Sequence, residues 1–117
     1  MKLSFPTKEN HKALWLWLAK NPERDRREWP GFETIRKLTG KEFYCNCFLC
    51  EDPFFSADCF NNCPLHGCHG GTRVFVMWDT VKDSIEKARL ATLIANCFET
   101  LVTKEAVDNI INGDERC

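Results

Sequence analysis

The chain has 117 residues, which suits one domain rather than two. At 44% hydrophobic and 28% charged it is neither a disordered nor a collagen-like chain. A formal net charge of −1 argues against a protein held to DNA chiefly by excess positive charge, and no apolar run approaches the roughly 18 residues of a membrane span.

In chain order, the first predicted element is a helix over 8–21. Thr7 is placed to cap it, after Pro6. His11, Leu14, Trp15 and Leu18 recur at helical spacing, and Trp17 widens that apolar face. Asn21-Pro22 ends it, because a residue before proline is pushed out of the helical region. A charged stretch, Glu23-Arg24-Asp25-Arg26-Arg27-Glu28, leads into a turn at Trp29-Pro30-Gly31. Residues 31–39 read as a short helix with Phe32, Ile35 and Leu38 inward, stopped by Gly40.

Residues 41–72 lose all periodicity, and such a stretch is long for an untethered loop in a small domain. Arg73-Val74-Phe75-Val76-Met77-Trp78 reads as a strand, being β-branched and aromatic, with Phe43-Tyr44 as a short partner. A long helix is then expected from Asp79 or Thr80 through about Val102. Val81, Ile85, Ala88, Ala95, Phe98 and Val102 form one stripe on it. Leu90, Leu93, Ile94, Cys97 and Leu101 form a second, which makes its second half the central core helix. Thr103 caps a last helix carrying Val107, Ile110 and Ile111, closed by Asn112-Gly113. The expected fold class is therefore α+β, mainly helical. It is one domain with a helical part at 1–40, a cysteine-rich loop at 41–72, and a strand with C-terminal helices at 73–112.

Eight cysteines are the compositional anomaly. The opening stretch, Met1-Lys2-Leu3-Ser4-Phe5-Pro6, has no apolar leader, so a cytoplasmic chain with reduced thiols is expected. Clustered thiols favour a soft metal, and zinc (Zn2+) is the commonest. The spacing is Cys47-x2-Cys50-x8-Cys59-x3-Cys63-x4-Cys68. A C-x2-C pair directs two thiolates at one ion, and a second close pair completes a tetrahedron. Four of these five residues are the expected ligands. Cys47, Cys50, Cys59 and Cys63 are the first choice, and Cys68 competes with Cys59 for one place. His66 and His69 are weaker alternates. Cys45, one residue before Cys47, points the other way if that stretch is extended. Cys97 reads as a small apolar core residue and Cys117 as an exposed thiol on a frayed tail.

Four thiolates leave no coordination position open, so such a site is structural and ties down the loop. H-E-x-x-H, the zinc-deaminase pattern, G-x-S-x-G and phosphate-binding glycine loops are all missing from the sequence, so no enzyme is expected. Charge is uneven. Residues 1–41 carry 10 Lys+Arg against 5 Asp+Glu, a net of +5, and residues 42–117 carry 6 against 12, a net of −6. Arg24, Arg26 and Arg27, flanked by Trp15, Trp17 and Trp29, make a small nucleic-acid-binding zinc module the second reading. The first reading is a zinc-stapled protein-interaction module, and the acidic half could meet a basic surface, such as a nucleic-acid channel, on another protein.

Four segments carry a resemblance. Ala13-Leu14-Trp15-Leu16-Trp17-Leu18-Ala19-Lys20-Asn21-Pro22, Glu28-Trp29-Pro30-Gly31, Cys47-Phe48-Leu49-Cys50-Glu51 and Cys63-Pro64-Leu65 together resemble a group of small phage and prophage proteins. In that group a tryptophan helix is followed by a W-P-G turn and a cysteine loop. In size, acidity and cysteine loop the chain is also similar to zinc-containing type II-A anti-CRISPR proteins, which inhibit Cas9. The resemblance implies Cys47, Cys50 and Cys63 as ligands. Where the group has C-x2-C before Pro-Leu, this chain has Cys59-x3-Cys63, and His66 replaces a tryptophan, which keeps Cys68 in the set. The function implied is a zinc-stabilised protein-interaction module of phage origin. It would bind a host defence nuclease such as Cas9 stoichiometrically in the host bacterial cytoplasm.

Overall fold

The computed structural model describes residues 7–39, 48–51, 57, 58 and 60–111. Helix α1 runs Thr7–Lys20. Thr7 is thus its first helical residue, not the cap before it. Asn21 closes the helix: its backbone N–H and its side-chain amide both donate to the Trp17 carbonyl, at 3.0 and 2.8 Å. Leu14, Trp15 and Leu18 are buried as their spacing requires. A single 3-10 turn, Arg26–Glu28, is capped by the Asp25 carboxylate. It leads to Trp29-Pro30 and helix α2, Gly31–Thr39. Gly31 is required there, because a Cβ at that position would collide with the Trp29 indole.

Helix α3 is one turn, Phe48–Glu51. Its Phe48 completes an aromatic cluster with Trp29 at 6.0 Å and Phe32 at 5.5 Å between ring centroids. α3 also packs on α1.

The expected α+β class is overturned: no strand occurs among the described residues. The segment read as a strand over 73–78 is helix α4, Val74–Thr80. A six-residue apolar run carries no period, so burial on both sides decides its form. Here the buried side chains are Val74, Phe75 and Trp78, at positions i, i+1 and i+4 of a helix face. The Thr72 hydroxyl lies 3.4 Å from the Val74 N–H as its acceptor at the start, and the Thr80 hydroxyl donates back to the Val76 carbonyl at 2.9 Å near the end. The proposed partner strand, Phe43-Tyr44, lies outside the described residues.

The long helix expected through Val102 is also corrected. Val81 leaves the helical region, with φ −70° and ψ 142°. Asp83 then caps a new helix, α5, Ser84–Ala95, by accepting from the Glu86 N–H at 2.9 Å. The cap is therefore Asp83, not Asp79 or Thr80. Turns at 96–100 end it, with Glu99 and Thr100 N–H groups donating to the Asn96 carbonyl. These breaks rotate the two stripes. Leu90, Ala91, Ile94, Ala95, Cys97 and Val102 are buried, whereas Ile85 and Leu101 are 64% and 67% exposed. Helix α6, Lys104–Ile111, starts as its sequence suggests, with the Thr103 hydroxyl accepting from the Ala106 N–H at 3.0 Å.

The core forms where α1 lies along α5, the most extensive helix pairing among the described elements, and α4 and α6 also pack on α5. Trp15 sits at its centre. Its ring meets Trp78 edge-on at 4.8 Å and Phe75 at 6.0 Å. No described helix is long and apolar enough to cross a membrane.

Candidate functional site

The candidate metal loop approaches the core from two directions. The first is the C-x2-C motif. Its two spacer residues, Phe48 and Leu49, are each 1% exposed, so the motif is anchored by what lies between its cysteines. Cys50 falls within the turn of α3. Cys47, the Cys50 side chain and Cys59 lie outside what the structure describes, as do Cys45 and Cys117.

The second approach is residues 60–73, which carry Cys63 and Cys68. This stretch is tied by its own backbone. His66 N–H donates to the Cys63 carbonyl at 2.9 Å, and Thr72 N–H donates to the His66 carbonyl at 3.0 Å. The Thr72 hydroxyl adds a buried bond to the Leu65 carbonyl at 2.7 Å. Gly67 (φ +74°) and Gly71 fold beneath the Phe60 ring, and a Cβ on either would strike backbone or ring atoms. His66 and Arg73 also take positive φ, 54° and 60°, so the loop reverses at both ends. The Cys68 carbonyl accepts from the Phe75 N–H at 3.1 Å, joining the loop to α4. Asp58 opens the region: the Asn61 side-chain amide donates to its carboxylate at 2.8 Å and holds that carboxyl below its usual range.

Within this loop Cys63 is buried, beside Leu65 in the core. Cys68 is half-buried, with its sulfur 3.3 Å from Nδ1 of His69. The His69 ring rests on Phe75 at 5.0 Å. His66 turns toward the Phe60 carbonyl, 3.3 Å from its Nδ1. Among the described residues no three His, Cys, Asp or Glu side chains converge closely enough to hold a metal ion. The described members of the ligand set are thus Cys63 on the core side and Cys68 beside His69. A Cys-plus-His pair of this kind belongs to the donor chemistry of zinc.

Cys97 takes the apolar role expected of it. It is 5% exposed, and burial first, then the nearby Cys63, pushes its thiol up to about 12. Its neighbour His11 was legible only as part of an apolar face. The structure gives it a further task. Its Nε2 lies 2.7 Å from the carbonyl of Ile94, in the last turn of α5, and 3.4 Å from the Cys97 sulfur. Burial pushes the imidazole down to about 4, opposed by the bond to Ile94. A histidine at an apolar helical position was the only available signal, and its partner 83 residues away could not be read from spacing.

The arginine stretch is largely occupied by its own acids. Arg24 pairs with Glu28 at 3.4 Å and Glu23 at 3.9 Å. Arg26 pairs with Asp25 at 3.6 Å and lies over the Phe75 ring. Of the flanking tryptophans, Trp15 is fully buried and presents no face for a base, and Trp29 is half-buried in T-shaped contact with Phe32 and Phe48.

Comparison of the chain with family models, with curated proteins and with solved structures finds no match in any of the three.

Proposed function

We propose that this protein is a zinc-stabilised interaction module of phage origin that inhibits a host defence nuclease, with Cas9 as the first target to test. The observation that carries the reading is the cysteine cluster at 47–68, five thiols in 22 residues, on a stretch whose described parts are anchored at Phe48, Leu49 and Leu65. Zinc held by four of Cys47, Cys50, Cys59, Cys63 and Cys68 fixes that stretch as a platform and leaves no coordination position for catalysis. On this reading the protein is not an enzyme. It acts in the host cytoplasm by occupying a surface or blocking a conformational step. The resemblance to small phage proteins supplies the target class.

Metal content per chain, measured on freshly purified protein, tests the first half. One zinc per chain, released with loss of structure by a chelator, is the expected result. Oxidised cysteines without metal would overturn it. Gel filtration with purified Cas9 and guide RNA tests the second half. A complex that suppresses DNA cleavage is expected, and unimpaired cleavage without a complex removes Cas9 as the target. The nucleic-acid reading loses support from the self-paired arginines. Binding to DNA that weakens steeply with salt would restore it.

A further inference from the structure

We propose that His11 is an acid-released latch that fastens α1 to the C-terminal end of α5. The Ile94 carbonyl can only accept, so the nitrogen 2.7 Å away must be the one that carries hydrogen. That fixes the neutral tautomer: Nε2 is protonated and Nδ1 is a bare acceptor. Nδ1 is buried and has no hydrogen-bond partner among the described residues. In the neutral ring this leaves only a lone pair unsatisfied. A second proton would create a buried N–H without an acceptor and place a full charge in the core.

The surroundings offer that charge no relief. From α1, the buried Trp15 stands 6.5 Å from the ring between centroids. From the turn after α5, Phe98 stands edge-on at 6.0 Å, and the Lys8 ammonium lies over that same Phe98 ring. Cys97 contributes a thiol that burial keeps protonated, with Cys63 beyond it. Across this junction the Glu99 carboxylate is exposed and paired with Lys12 at 3.3 Å. Both lysines would repel an imidazolium. The depressed proton affinity of His11 agrees with this geometry.

The direction of the pH effect follows. The folded imidazole takes its proton at about pH 4, against 6.5 for the ordinary group. Stability from this residue is complete above about pH 6.5. It falls as pH drops toward 4, because the unfolded chain binds the proton first. The difference corresponds to a decrease of about 100-fold in the folding equilibrium constant between neutral pH and pH 4.

The test compares wild-type protein and His11→Gln by urea unfolding from pH 7.5 to 4.5, with saturating zinc throughout. Glutamine retains a donor for Ile94 but does not titrate. The expected result is that the wild type loses stability relative to the variant by one to two powers of ten in this window, with α1 amides exchanging first. If the variant does not fold, nitrogen-15 NMR of the wild-type histidines decides the matter. His11 should remain the neutral Nε2–H tautomer at pH 5.5. Parallel pH profiles for the two proteins, or a His11 ring already protonated in the folded protein at pH 5.5, would overturn the proposal.

Discussion

The α1–α5 pair and the 60–73 loop lie against each other but are held by different forces. The helix pair is held by apolar burial: Leu14, Trp15, Leu18, Leu90, Ala91 and Ile94 are each at most 1% exposed. The loop contributes mainly Cys63 and Leu65 to that core and otherwise depends on short-range hydrogen bonds among its own backbone groups and Thr72. Apolar contact tolerates small shifts, but a loop that buries little apolar surface and relies on local hydrogen bonds opens more easily. The helices therefore supply most of the stability, and the loop is the part that would gain from the proposed metal.

If zinc binds as proposed, stripping it should break this comparison most strongly, since structural zinc contributes on the order of 10 kcal/mol in small domains. Chelation or Cys63→Ser should abolish amide protection across 60–73 while α1 and α5 retain more of theirs. Hydrogen exchange reads both regions at once, and equal losses would show that they form one cooperative unit. A cavity in the helix pair comes next. Trp15→Ala should cost about 3–5 kcal/mol and lower the thermal midpoint of the whole protein. In the loop, Thr72→Val removes one buried bond to Leu65, and urea unfolding should record a loss of about 1 kcal/mol with faster exchange confined to the loop. Lys12→Ala, which cuts an exposed ion pair to Glu99, should change stability by less than about 0.5 kcal/mol. Thiol labelling sharpens the contrast: after chelation Cys68 should react well before Cys97, whose thiol is pushed up to about 12 and buried.

How much was readable from sequence follows the same division. α1 carries its own stop signal at Asn21-Pro22 and α6 its own start signal at Thr103, so local chemistry located those ends, whereas the stops expected at Gly40 and Asn112-Gly113 lie outside the described residues. Residues 73–80 carry no such signal within themselves. Their helix depends on Thr72 and on the Cys68 carbonyl, both upstream in the loop, and composition alone favoured a strand. Asp83, the cap that starts α5, was not singled out, because the apolar pattern continues on both sides of it and suggested one long helix. In the candidate site the cysteine spacing singled out the ligand set without its geometry. The roles of His11 and Thr72 rest on carbonyl partners that only the assembled chain brings near.

The C-x2-C motif also links parts of the chain made at different times. Its spacer Phe48 closes on Trp29 and Phe32, residues synthesised only shortly before it, so this corner can assemble while the rest is still being translated. Trp15 must wait for Trp78 and Leu90 before it is covered. During synthesis the nascent chain thus presents a finished aromatic corner beside an uncovered tryptophan helix.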